Sequence, residues 1–186
     1  MEKLRTKLEG VYIIEPRIFS DMRGYFCETL NVNKLNDLGI KFLPVQENNA
    51  YSLKKGTIRG LHFQNNPYAQ AKLVRCTKGA VMDYAIDLRR GSDTYLKWVG
   101  VELTEENHRQ LYIPKGFAHG VISLKDNTLI EYYVDEVYAP EADRSIRFDD
   151  PDINIDWGMD KLILSDKDKN AFSMKESDCN FTKEEQ

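Results

Sequence analysis

The strongest constraint on this chain is a run of strict alternation at residues 80–88. Ala80, Met82, Tyr84, Ile86 and Leu88 fall on one face, and Asp83 and Asp87 on the other. A period of two is the mark of a β-strand, whose successive side chains point to opposite sides. Similar runs recur at 95–103, which carries Tyr95, Trp98, Val99, Val101 and Leu103, and at 127–138, with Ile130, Tyr132 and Val134 on one face. Val45 to Leu53, Thr57 to Gln64 and Lys72 to Cys76 add shorter strands, and Gly56, Gly79 and Gly91 punctuate the series. Many short strands separated by turn signals predict an all-β sandwich or barrel.

Helical signals are few. Val32 to Leu38, stopped by Gly39, predicts a short helix, and Thr104 is placed to cap a helical turn. From Asp149 onward periodicity fades. That tail is expected to be irregular with one short helix, held as far as Leu164 by Ile153, Ile155, Trp157, Leu162 and Ile163, while the last dozen residues fray. A length of 186 residues fits one domain over 1–186, and 41% hydrophobic residues supply a core.

A formal net charge of −4 gives no bulk attraction to nucleic acid, so an anionic ligand must be held by local Arg and Lys groups. No apolar run approaches the roughly 20 residues that cross a bilayer, and Met1-Glu2-Lys3-Leu4-Arg5 leads into no signal-peptide core. Cys27, Cys76 and Cys179 are odd in number and lack metal-ligand spacing. Free thiols in a cytoplasmic protein are therefore expected.

Five constellations could carry chemistry. Arg59-Gly60-Leu61-His62-Phe63-Gln64 places a histidine on a strand, with Lys72 opening the next. Alternation sets His62 beside Gln64 but sends Arg59 to the opposite face, unless Gly60 hosts a bulge that re-aims one of them. A strand histidine is either a tuned base or a hydrogen-bonded structural group. His119 follows the turn Pro114-Lys115-Gly116 and either joins a site or caps that turn. Tyr132, on an interior face, bonds either to backbone or to a ligand through its hydroxyl. Asp166-Lys167-Asp168-Lys169 is either a solvated charge run or the source of a carboxylate for His62. The compact turn Phe19, Asp21, Arg23, Gly24, Tyr25, Phe26 is either a surface turn or an anion contact through Arg23. Only His62 and His119 offer themselves as metal ligands, with glutamine at position 64 and no third ligand nearby, so no metal is expected. Phosphate-loop, dinucleotide and nucleophile-elbow motifs do not occur.

Taken in order, these motifs resemble the dTDP-4-dehydrorhamnose 3,5-epimerase family over about Gly10 to Asp168. The resemblance is carried by Asp21-Met22-Arg23-Gly24-Tyr25-Phe26, Arg59 to Gln64, Lys72-Leu73-Val74-Arg75, Arg89-Arg90-Gly91-Ser92, Trp98 to Leu103, Ile113 to Gly120, Tyr138-Ala139-Pro140-Glu141, Asp149-Asp150-Pro151 and Leu164 to Asp168. It implies a cupin-type double-stranded β-helix, or jelly-roll sandwich, with a few short helices. It implies an isomerase that inverts a nucleotide-linked 4-keto-6-deoxy sugar without cofactor. The expected substrate is dTDP-linked and inverted at C3 and C5. Inversion of one carbon, or a binding module without turnover, stands as the alternative.

The resemblance also implies roles. His62 is the base, Asp168 its partner, Tyr132 the acid on the opposite face, and Lys72 the enolate stabiliser. His119 lines the pocket. Arg23, Arg59 and Gln46 contact the diphosphate and nucleotide, Asn48 binds substrate, and Tyr138, also a substrate contact, lies near the nucleobase. Phe26 and Glu28 come from a second subunit, because family members exchange N-terminal strands in a homodimer. Four departures stand out: Asn49 and Ala50 replace the family's His and Ser, Ala71 replaces Gly before the lysine, and Tyr133 stands where Lys is common. Changed contacts to nucleotide or sugar are expected from Asn49 and Ala50, and the departures leave open the exact substrate and the number of inverted centres.

Overall fold

The alternating segments become strands because each can offer one face to each of two apolar layers. The structure is a computed structural model and describes residues 1–183. The strands are β1 (Glu2–Arg5), β2 (Tyr12–Glu15), β3 (Ile18–Asp21), β4 (Gly24–Cys27), β5 (Gln46–Ser52), β6 (Ile58–Gln64), β7 (Lys72–Lys78), β8 (Ala80–Asp87), β9 (Trp98–Thr104), β10 (Gln110–Ile113), β11 (Phe117–Ser123), β12 (Thr128–Val134) and β13 (Asp143–Ser145). The helices are α1 (Val32–Asp37) and α2 (Asp166–Lys169).

A six-stranded sheet runs β1-β2-β10-β7-β12-β5, and a five-stranded sheet runs β13-β6-β11-β8-β9. The two form the sandwich that the strand pattern predicts, of the cupin type that the resemblance implies, with β3-β4 as a separate hairpin. Between the sheets lies an apolar layer that includes Val74, Val81, Ala85, Val101, Leu111, Phe117, Val121 and Ile130. Outside the six-stranded sheet, α1 and the chain after it add Leu35, Ile40 and Phe42 to Ile14, Leu73 and Tyr112. Asn31 caps α1 through its side chain, and Gly39 just beyond it takes φ +77°, a left-handed turn suited to glycine.

The outer face of the five-stranded sheet is covered by the C-terminal segment. Ile146, Ile153, Ile155, Trp157, Met174, Cys179 and Phe181 pack on Leu61, Phe63, Tyr84, Ile86 and Leu88. The predicted fraying therefore fails as far as residue 183: Phe181 is 3% exposed and Thr182 pairs with Arg90. The tail supplies the apolar cover that this sheet needs, a demand invisible to local periodicity. Residues 184–186 of the expected frayed end lie outside the described residues.

Three further corrections concern boundaries. The run at 95–103 begins its strand only at Trp98, because Leu96 takes φ +60° in a turn. The run at 127–138 ends at Val134, where the Asp135 carboxylate accepts the Ala71 N–H and the chain peels away. Thr104 accepts from the N–H groups of Glu106 and Asn107 as expected, but it closes a turn rather than a helix. Among the described residues no helix is long and apolar enough to cross a membrane.

Candidate active site

Strand β6 delivers His62, and a bulge aims it. His119 of β11 pairs with His62, but Val121 pairs with Arg59, so three steps along β6 answer two along β11. The extra residue reverses the alternation. Leu61 and Phe63 share the outer core with Ile58, so Arg59 falls on the side of His62 and Gln64. Gly60 makes this possible. It takes φ +130°, and a Cβ there would lie 2.7 Å from both Gly120 Cα and His119 O. Arg59 then donates to Tyr51 O at 2.7 Å and Ser52 Oγ at 3.3 Å on β5.

Asp168 reaches His62 from the other end of the sequence. Ser165 caps α2 by accepting the Asp168 N–H at 3.1 Å, and its hydroxyl donates to Asp168 Oδ2 at 2.9 Å. That leaves Oδ1 facing His62 Nε2 at 2.6 Å. Burial tends to raise the Asp168 carboxyl, yet the bonds from His62 and Ser165 and the nearby positive charge hold it below the usual carboxylate range. An ionised carboxylate accepts the hydrogen bond of Nε2–H, so Nδ1 remains as the basic atom of the ring.

Lys72 and Tyr132 enter from the opposite sheet. Lys72 opens β7 and Tyr132 lies on the adjacent β12, with the ammonium 6.0 Å from the ring centre. Burial drives Lys72 down to about 8, while Asp83 and Asp143 pull upward against it. The Tyr132 phenol is raised by burial and by Asp143, partly opposed by Arg59, so it stays protonated at neutral pH. Among the described residues its hydroxyl meets no hydrogen-bond partner, unlike the backbone-bonded core tyrosine that was the alternative.

His119 sits behind this group, its ring centre 6.4 Å from that of Tyr132. It does not cap the preceding turn. Its Nε2 bonds to Asp83 Oδ1 at 2.5 Å, and burial lowers its pKa despite that carboxylate. Asp83 is fully buried, and its second oxygen has no hydrogen-bond partner among the described residues. The sequence carried the signal for this pair. Two aspartates share one face of a hydrophobic strand, where a carboxylate is unfavourable without a partner.

A cavity of about 350 Å³ gathers His62, Lys72 and Tyr132 with Gln46, Asn48 and Tyr138. Its wall also includes Phe63, Gln64, Gln70, Asp143 and Lys167. Gln70 and Asp143 carry no sequence signal, whereas Lys167 belongs to the charge run 166–169. Lys167 Nζ and Asp143 Oδ2 form an ion pair at 2.5 Å. The predicted anion contact Arg23 lies elsewhere, paired with Asp21 on the exposed β3-β4 turn. Phe26 is 69% exposed on the same hairpin, and Glu28 bonds Lys34 and Asn31. None of the three lines the cavity of its own chain.

The four departures also lie off this wall. Asn49 points outward from β5, Ala50 packs in the inter-sheet core, Ala71 is buried in the outer layer, and Tyr133 packs beside that layer. Among the described residues no group of three or more His, Cys, Asp or Glu is placed to hold a metal ion.

A jelly-roll cavity with a carboxylate-paired histidine on one sheet and a protonated phenol and ammonium on the other has the equipment of an isomerase working by proton transfer. Comparison with known proteins agrees. The family model for dTDP-4-dehydrorhamnose 3,5-epimerase matches residues 5–176, and the chain belongs to that family of isomerases. It is 46% identical over 177 residues to the dTDP-4-dehydrorhamnose 3,5-epimerase of Methanothermobacter thermautotrophicus, covering 94% of this chain and 95% of that protein. It is 47% identical over 178 residues to the Escherichia coli protein of the same name, covering 95% and 96%. The crystal structure of dTDP-6-deoxy-D-glucose-3,5-epimerase from Legionella pneumophila, in complex with dTDP-4-keto-L-rhamnose, superposes with a TM-score of 0.91 at 41% identity, covering 95% of this chain and 94% of that one.

Proposed function

We propose that this chain epimerises dTDP-4-dehydro-6-deoxyglucose at C3 and C5, giving the L-rhamnose precursor. The observation that carries the reading is that His62 and Tyr132 reach one cavity from facing sheets. Inversion at carbon needs a base on one face and an acid on the other, and two facing sheets supply that arrangement. His62 removes the proton beside the C4 ketone, with Asp168 holding the ring and stabilising the imidazolium. The bonding pair moves to the ketone oxygen as an enolate, and the Lys72 ammonium offsets that charge in a buried setting. Tyr132 returns a proton to the carbon from the opposite face. Solvent then restores both side chains. The ketone is its own electron sink, so the scheme uses no metal or redox cofactor.

Gln46, Asn48, Arg59 and His119 position the sugar nucleotide, and Tyr138 lies near the nucleobase. Arg23, Phe26 and Glu28 serve the cavity of a second copy in a homodimer with exchanged N-terminal strands. The exposed Phe19, Met22, Tyr25 and Phe26 of that hairpin favour such a partner. A cytoplasmic location suits a nucleotide-sugar substrate. In a turnover assay on dTDP-4-dehydro-6-deoxyglucose, wild-type conversion is expected and His62→Asn should abolish it. Wild-type turnover in His62→Asn would remove the base from the scheme. Sedimentation should give a dimer, and a monomer at assay concentration would contradict the exchange.

A further inference from the structure

Beyond Val134 the chain leaves β12 as residues 135–139, and the half-exposed Tyr138 of this segment lines the cavity at its open side. Val137 and Tyr138 are 51% and 54% exposed, so apolar burial does little to place this segment. Its main chain is held instead by three glutamines. Gln70 Nε2 donates to Glu136 O at 2.8 Å. Gln64 Nε2 donates to Val137 O at 3.2 Å, and Gln64 Oε1 accepts the Ala139 N–H at 2.8 Å. Gln46 Oε1 accepts the Tyr138 N–H at 3.0 Å. Gln46 belongs to the six-stranded sheet and Gln64 to the five-stranded one, so the segment is pinned to both walls of the cavity.

Gln64 is central to this grip. It is 3% exposed, it bonds the residue on each side of Tyr138, and its amide also donates to Tyr68 O at 2.7 Å. Its neutral amide both donates to Val137 and accepts from Ala139. A carboxylate would face two carbonyls without a proton, and an apolar side chain would leave these backbone groups unpaired. We propose that Gln64 is a positioning residue: it fixes the backbone on either side of Tyr138 and thereby sets that ring at the mouth for the nucleotide. The proposal rests on the reading of Tyr138 as a nucleotide contact. It gives Gln64 a role in affinity, not in proton transfer.

The test compares wild type, Gln64→Met, Tyr138→Ala and the double variant, by calorimetric binding of dTDP and by steady-state kinetics on dTDP-4-dehydro-6-deoxyglucose. Gln64→Met should weaken dTDP binding and raise KM roughly tenfold, the scale of one or two lost buried hydrogen bonds, with kcat within about twofold. The double variant should bind no worse than Tyr138→Ala. Unchanged affinity in Gln64→Met, a fall in kcat at constant KM, or losses that multiply in the double variant would each overturn the positioning role. Unchanged affinity in Tyr138→Ala would instead overturn the reading of Tyr138 beneath it. Should Gln64→Met fail to fold, Gln70→Leu releases only the Glu136 carbonyl. It should raise KM about threefold in the Tyr138 background and leave it unchanged in Tyr138→Ala. Equal effects in both backgrounds would contradict the mechanism.

Discussion

Nε2 of His62 lies 2.6 Å from Oδ1 of Asp168, a contact that joins residues 106 apart in sequence. A strand from the first half of the chain and a one-turn helix from its end thus meet in one proton-transfer unit. Removing the Asp168 charge while keeping its shape should expose the value of that contact. Asp168→Asn is expected to lower kcat about 10²-fold to 10⁴-fold, the range seen when the carboxylate behind a catalytic histidine is neutralised. KM should stay near wild type. Steady-state kinetics on folded protein checks this, and a rise in KM alone would assign Asp168 to substrate binding.

Lys72 places function and stability in opposition. Its folded pKa, pushed by burial to about 8, lies below the ordinary 10.5. The charged lysine therefore disfavours the folded state below pH 8, and this cost is relieved as pH rises from 8 toward 10.5. Lys72→Met should stabilise the fold by on the order of 3 kcal/mol at pH 7, while lowering turnover severely. Denaturant unfolding measures the first effect. In the wild type, kcat/KM should fall as pH rises through about 8, when the ammonium that stabilises the enolate is lost.

Tyr132→Phe keeps the ring among Ile130 and its neighbours and removes only the hydroxyl. Melting should change little, because the hydroxyl has no partner in the described structure to lose. Protonation should slow and the product ratio at C3 and C5 should shift. Chromatography of the products checks this, and an unchanged rate and ratio would show that the acid lies elsewhere.

Gly60→Ala tests the bulge. The new Cβ would press on Gly120 and on the His119 carbonyl at 2.7 Å, in a backbone conformation with φ +130°. A loss of more than about 2 kcal/mol is expected, with His62 displaced. Calorimetric melting and turnover should fall together. A neutral substitution would mean that β6 can follow another register.

How much of this was legible in the sequence depends on the residue. The alternation at 80–88 revealed β8 and its two faces, since period two survives any tertiary arrangement. Asp83 was on the correct face, yet its bond to His119 depends on β8 and β11 lying side by side. The bulge could be anticipated from Gly60, but its direction required the register with β11. The strand pattern at 127–138 runs past the real strand because Val137 and Tyr138 look β-forming, whereas glutamines on distant strands take their backbone bonds. The order of the tail is hidden from sequence for a similar reason. Cys179 and Phe181 show no local pattern, and only the uncovered sheet face explains their burial. Asp168 was identified through family resemblance, and no spacing rule links it to His62.

The central claim is removal and return of protons at carbon from two sides of one cavity. Incubation with dTDP-4-dehydro-6-deoxyglucose in deuterated water, followed by NMR or mass spectrometry of the sugar, tests it most directly. Deuterium at both C3 and C5 is expected, and none in His62→Asn. Deuterium at one carbon alone would reduce the protein to a mono-epimerase, and no incorporation by the wild type would contradict the account.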